Sequence, residues 1–158
     1  MQKLALASYF GQITAELSPA GEPQPDAVKL FLNTLYILAN TDKNVFQVKA
    51  VFEMRLMMCQ GYMPDVFSCS GCGGEHFPFY FDIKNANIFC DKCGKTPYEL
   101  TEPVVYALRY VLTCEQKKMF SFEMDEALYK KLADISKAYV ISVLGYIPKT
   151  LEYFEGML

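Results

Sequence analysis

Histidine is nearly absent from these 158 residues: His76 is the only one, and arginine occurs only as Arg55 and Arg109. A single histidine leaves little to activate a cysteine or serine nucleophile. The short patterns Gly-x-Ser-x-Gly and His-Glu-x-x-His do not occur. Gly94-Lys95-Thr96 has the end of a phosphate-binding loop but not its start. Phe89 stands where the first glycine is required, and Pro97 interrupts the helix start. Nothing in the spacing pairs carboxylates for general acid–base work. The expectation is a protein that carries out no reaction of its own.

Positive charge is also short. The formal net charge is −3, whereas a dedicated nucleic-acid binder is usually basic. Contact with nucleic acid would have to rest on a local patch or on another part of the protein. No stretch of about 18 apolar residues is present, so no transmembrane helix is expected. The apolar opening MQKLALASYFGQITAELS is interrupted by Gln12 and Glu16 and lacks a signal-peptide cleavage site. The chain reads as cytoplasmic, where paired cysteines favour metal over disulfide. With 52% hydrophobic residues, it has enough apolar side chain for one domain with a sizeable core.

Helical periods dominate. Residues 3–17 read as a helix with a loose apolar face of Leu4, Ala7, Phe10 or Gly11, Ala15 and Leu17. The loop SPAGEPQPDA ends in Asp26, a candidate cap for a helix that stops at Asn40-Thr41-Asp42. A third helix, about 44–60, shows Val45, Val48, Phe52, Leu56 and Cys59 on one face, widened by Val51, Met54 and Met58. Gly61 and Pro64 stop it. FPFYF and NIF around a polar DIKNA predict a small hairpin. Thr101-Glu102-Pro103 predicts a capped helix start before VVYALRYVL. A last long helix from near Asp125 has Leu128, Leu132, Ile135, Tyr139 and Val143 as its buried stripe, opposite Lys130, Lys131, Asp134 and Lys137. Gly145 and Pro148 close it, and TLEYFEGML adds a final turn or short helix. The fold class is mainly α: a helical bundle with an inserted zinc-ribbon-like hairpin that carries four cysteines. Residues 1–158 read as a single helical domain with the insertion at about 66–96.

Four of the six cysteines, Cys69, Cys72, Cys90 and Cys93, form two Cys-x-x-Cys pairs in a C-x2-C-x17-C-x2-C pattern. That spacing lies within the zinc-ribbon range. Each pair points two sulfurs at one centre, with Gly73 and Gly94 easing the turn behind it. The expectation is one structural Zn2+ on four thiolates, with no position open for water or substrate. Iron of the rubredoxin type is an alternative occupant. A thioredoxin-like redox pair would need a βαβ setting, which is lacking. His76 reads as an exposed loop residue, and Cys59 and Cys114 as small core fillers.

The order of these features carries a resemblance. FLNTLYILAN, then Phe52-Glu53-Met54-Arg55-Leu56, Gly61, Pro64-Asp65, the first Cys-x-x-Cys-Gly and the second Cys-x-x-Cys resemble the C-terminal part of the bacterial RecO recombination mediators. LALASYFGQITAEL and the late FSFEM also look like that family, so the resemblance spans nearly the whole chain. It implies a non-enzymatic role in recombinational DNA repair: binding single-stranded DNA and the single-stranded-DNA-binding protein, annealing strands, and loading recombinase with a RecR-type protein. It also implies an upstream OB-fold domain, which this chain does not contain, and a cytoplasmic place at the bacterial nucleoid.

Arg55 is the candidate partner-binding residue, gripping an acidic, aromatic-ended peptide. The plainer reading pairs it with an acid and packs its stem along the helix. Lys117, Lys118, Lys130, Lys131 and Lys137, with Lys84, Lys92 and Lys95 around the cysteines, offer a basic strip or simply solvated faces. Phe77, Phe79, Tyr80 and Phe81 either stack on bases or pack around the metal, and packing is the simpler use. Two other classes stay in view: a helical zinc-ribbon adaptor unrelated to repair, and a thiol redox enzyme.

Overall fold

The computed structural model describes residues 1–158. Six helices run in chain order: α1 Gln2–Leu17, α2 Pro25–Asn40, α3 Val45–Cys59, α4 Glu102–Thr113, α5 Glu126–Leu144 and α6 Lys149–Glu155. A 3-10 turn, Gln116–Lys118, follows α4. Between α3 and α4 lie three short strands, β1 Phe79–Asp82, β2 Asn87–Cys90 and β3 Glu99–Leu100, in the order β2-β1-β3. Both pairings are antiparallel, with Phe79 opposite Cys90 and Leu100. The architecture is the expected helical body with a small hairpin carrying the cysteines.

α3 is the axis of the fold. It packs most extensively on α5 and also touches α1, α2 and α4. Its start is fixed by Asn44, whose Oδ1 accepts the Phe46 N–H at 2.9 Å. The expected apolar stripe is present, but it is not the whole story. Every residue from Gln47 to Met57 is buried, so the polar members of α3 must find partners inside the protein. Gln47 donates to the Phe122 carbonyl at 2.7 Å, tying down the segment before α5. Lys49 and Glu53 form an ion pair at 2.8 Å. Tyr9 of α1 donates to Glu53 at 2.6 Å, Ser136 of α5 donates to the same carboxylate, and Lys49 reaches the Ala133 carbonyl at 3.4 Å. One buried carboxylate therefore joins α1, α3 and α5.

Three sequence expectations are corrected. The face of α1 that packs inward is Ala5, Leu6, Tyr9, Phe10 and Ile13, while Leu4 is exposed. That set follows the 3.6-residue repeat more closely than the loose face read from the sequence. Asp26 does not cap α2. Pro25 takes the first helical position, and Asp26 sits inside the first turn, where its charge still favours the helix dipole. Thr101 precedes α4 but makes no side-chain cap, and its hydroxyl is buried without a partner. Pro103, in the first turn, has no N–H to offer it. Gly145 closes α5 in the left-handed conformation, φ 82°, as its position predicts.

The hairpin shares the interior of the helices. Val66, Cys69, Phe79, Phe81, Ile88, Cys90 and Leu100 belong to the same buried cluster as the helical residues. Phe81 meets Tyr139 of α5 edge-on, with ring centroids 5.5 Å apart. The Tyr139 hydroxyl donates to the Tyr62 carbonyl at 2.6 Å, anchoring the chain as it leaves α3.

Candidate metal centre

The metal centre starts from the turn of β1 into β2. Asp82 accepts the N–H groups of Lys84 and Asn85 at 3.0 and 3.2 Å, closing the polar loop between the strands. β2 then delivers Cys90 at its last position, and the chain turns back so that the N–H groups of Cys93 and Gly94 both reach the Cys90 carbonyl. The first pair forms a matching turn: the Gly73 N–H donates to the Cys69 carbonyl at 2.7 Å and the Cys69 N–H to the Gly74 carbonyl at 3.0 Å. Gly73 holds φ 71°, a region that disfavours side chains. The Ser70 N–H bonds the Ile88 carbonyl at 2.9 Å, fixing the first turn beside β2.

These turns place Cys69, Cys72, Cys90 and Cys93 so that their four sulfurs lie within 4.8 Å of one another. The Cys72 and Cys90 sulfurs are 3.9 Å apart. A tetrahedron with metal–sulfur bonds of about 2.3 Å has sulfurs separated by about 3.8 Å, so the spacing fits an ion at the centre. A disulfide needs about 2.05 Å, and all six cysteines are free. The fit is close elsewhere too. A Cβ added at Gly71 would stand 2.7 Å from the Cys93 Cβ, so only glycine lets the two turns approach this far.

The surroundings suit thiolates. The Cys69 sulfur accepts the Cys90 N–H at 3.2 Å and the Gly71 N–H at 3.4 Å. Burial raises the Cys69 thiol, but hydrogen bonds from the Cys90, Cys72 and Gly71 backbones and from the Cys93 thiol outweigh it and bring it down to about 6. Cys93 goes the other way, to about 12, because its proton is shared with Cys90, Cys69 and Cys72. A cation at the centre would replace those shared protons. Cys69 and Cys90 face inward, and Cys72 and Cys93 lie at the surface. The four together could hold one metal ion.

The other singled-out residues fall elsewhere. His76 is exposed, with its ring beside Gly74. Arg55 is only 8% exposed. Its Nη1 donates to the carbonyls of Val111 and Cys114, both at 3.0 Å, at the C-terminal end of α4. It pairs with no acid: a cation at a helix C-terminus meets the unpaired carbonyls and the negative end of the dipole instead. Cys59 and Cys114 flank this arginine, and burial raises both thiols while Arg55 pulls them partly back. Of the eight lysines singled out, four are paired with acids, and Lys84, Lys92, Lys118 and Lys131 are not. Lys95 pairs with Asp91, Lys117 with Glu115, Lys130 with Glu126 and Lys137 with Glu155. Phe79 and Phe81 are fully buried, and Phe77 packs edge-on against Phe79 at 5.1 Å. No helix is long and apolar enough to cross a membrane.

Two groups of residues escape a reading of the sequence. One is the Tyr9–Lys49–Glu53–Ser136 cluster, whose only local sign is the four-residue spacing of Lys49 and Glu53. The other is Arg109 of α4, which donates to the Val66 and Phe67 carbonyls at 2.8 and 2.9 Å and pairs with Glu75.

This arrangement has counterparts of known kind. Residues 1–152 match the sequence profile of the family described as "Recombination protein O C terminal". The chain is 32% identical over 144 residues to the DNA repair protein RecO of Acetivibrio thermocellus, covering 89% of this chain and 57% of that protein. It is 28% identical over 161 residues to the DNA repair protein RecO of Desulforudis audaxviator, covering 99% of this chain and 64% of that protein. The RecO of Caldicellulosiruptor bescii is 24% identical over 159 residues, with 98% and 65% covered. The chain thus spans less than two thirds of the length of these curated relatives. The profile match takes in the helix that carries Glu53 and Arg55 and the paired cysteines that follow it, and the chain belongs to the RecO C-terminal family.

Proposed function

We propose that this chain is the helical module of a recombinational repair mediator, and that it works by binding without covalent chemistry. The match of residues 1–152 to the RecO C-terminal family carries this reading. The relatives' name, DNA repair protein RecO, supplies the process. In this reading Cys69, Cys72, Cys90 and Cys93 hold one structural zinc. Four protein sulfurs leave no position for a substrate, which argues against a thiol or metal enzyme. Iron suits the same donors, and zinc is preferred because it adds no redox chemistry to a structural site.

The mediator role is shared out along a longer protein. Single-stranded DNA is bound mainly by an upstream OB-fold domain, while this helical module contacts partners, a RecR-type protein and the single-stranded-DNA-binding protein among them. Residues 1–158 form one domain with the cysteine hairpin as its insertion, and the protein works in the cytoplasm at the nucleoid. The net charge of −3 and the pairing of Lys95, Lys117, Lys130 and Lys137 with acids support weak affinity for phosphate. The burial of Arg55 supports a role in the fold and not in a peptide groove.

The test is a titration of labelled single-stranded DNA and of a RecR-type protein against this chain at two salt concentrations. Weak DNA binding together with measurable RecR binding is expected. Tight DNA binding that falls steeply with salt would contradict the division of labour. Binding of neither, by this chain or by the longer protein, would contradict the mediator reading.

A further inference from the structure

We propose that Arg109 is a positioning residue for the metal centre, holding the first cysteine pair in place from the helical body. The inference rests on the reading of the four cysteines as a metal site. Its ground is a set of contacts that no sequence pattern marks. From α4, the Arg109 Nε donates to the Val66 carbonyl at 2.8 Å and Nη2 to the Phe67 carbonyl at 2.9 Å, while Nη1 pairs with the Glu75 carboxylate. Val66 lies three residues before Cys69, and Glu75 three residues after Cys72. One planar guanidinium therefore closes both ends of the loop that carries the first pair. The second pair needs no such clasp, because Cys90 is itself the last residue of β2.

The first pair is tied to β2 by the Ser70 N–H to Ile88 carbonyl bond and to α4 by Arg109. Remove the second tie, and the loop of 66–75 keeps only its hydrogen bonds to the hairpin and the burial of Val66 and Cys69. The two sulfurs it carries then sample positions outside the tetrahedron. Arg109 is mostly shielded, its side chain 16% exposed, while Glu75 is 48% exposed. The carbonyl contacts are therefore the stronger part of the clasp, and the exposed ion pair contributes little. Arg55 holds the far end of α4 to α3 in the same manner, through carbonyls. The chain's two arginines thus form a relay from the axis of the fold through α4 to the metal loop.

The experiment compares wild type, Arg109→Ala, Arg109→Lys and Glu75→Gln. Zinc content is measured first, and then the rate of zinc transfer to a chromophoric chelator. Melting temperatures are taken for the zinc-loaded proteins and in a Cys90→Ser background. Arg109→Ala should lose zinc about 10-fold faster or more, the scale of a lost outer-shell contact. Arg109→Lys, which keeps charge and stem but not the fork, should not restore the wild-type rate. Glu75→Gln should stay near wild type. The drop in melting temperature from Arg109→Ala should shrink once Cys90→Ser has broken the site. Wild-type transfer rates in both Arg109 variants, or an equal drop in melting temperature with and without the intact site, would overturn the proposal while leaving the metal reading standing. A wild-type protein without metal would instead overturn the metal reading on which it rests.

Discussion

Glu53 has no exposure to solvent and accepts from Tyr9, Lys49 and Ser136. A buried carboxylate survives only if its lone pairs are filled and a cation stands beside it. Glu53→Ala would strand the Lys49 ammonium, itself 3% exposed, so urea unfolding should show a loss of about 3–5 kcal/mol. Tyr9 gives the cluster a pH signature. Burial, and then the neighbouring Glu53 carboxylate, push its phenol well above the ordinary value. A group whose folded pKa is raised contributes stability that is complete below the unfolded pKa, about 10 for tyrosine, and lost as pH rises from there toward the folded value. Alkaline melts of the wild type should therefore fall above about pH 10, and Tyr9→Phe should flatten that part of the fall. An identical alkaline profile in Tyr9→Phe would remove Tyr9 from the cause. This cluster was barely legible in the sequence. Lys49 and Glu53 sit at helical spacing among apolar residues, but Ser136 and Tyr9 come from α5 and α1, and nothing local announces that they meet.

At the scale of elements, legibility follows how local the interactions are. The hairpin could be read because its turn, its alternating aromatics and its paired cysteines lie within 26 residues, from Cys69 to Gly94. The helices could be read from their period, and the inward face of α1 is legible only when the spacing of Leu6, Tyr9, Phe10 and Ile13 is set above Leu4, which looks equally apolar but is exposed. Arg109 left no trace because two of its three partners are backbone carbonyls, which every residue possesses. The hairpin and the helical body also differ in what holds them. Both contribute to one buried interior, but the turns that carry the cysteines lie at its edge, with Cys72 and Cys93 exposed, and rest on β1, β2 and their own turn hydrogen bonds. Cys72→Ser should speed hydrogen exchange across roughly 65–96 while amides of α1, α3 and α5 stay protected. Loss of protection throughout the chain would mean that the site holds the whole fold together.

For the molecule as a whole, the polar residues of α3 explain why a mostly helical body and a cysteine hairpin form one interior. Gln47 holds the segment before α5, the Glu53 cluster joins α1 and α5, and Arg55 secures α4, which in turn carries Arg109 to the metal loop. Phe81 against Tyr139 adds an apolar seam between hairpin and α5. The hairpin's part in this frame rests on an ion held by four sulfurs. X-ray absorption at the zinc edge of the purified protein tests it most directly. About one zinc per chain with four sulfur neighbours at about 2.3 Å is expected. A first shell containing nitrogen or oxygen, or protein with no zinc or iron and its thiols oxidised, would contradict it.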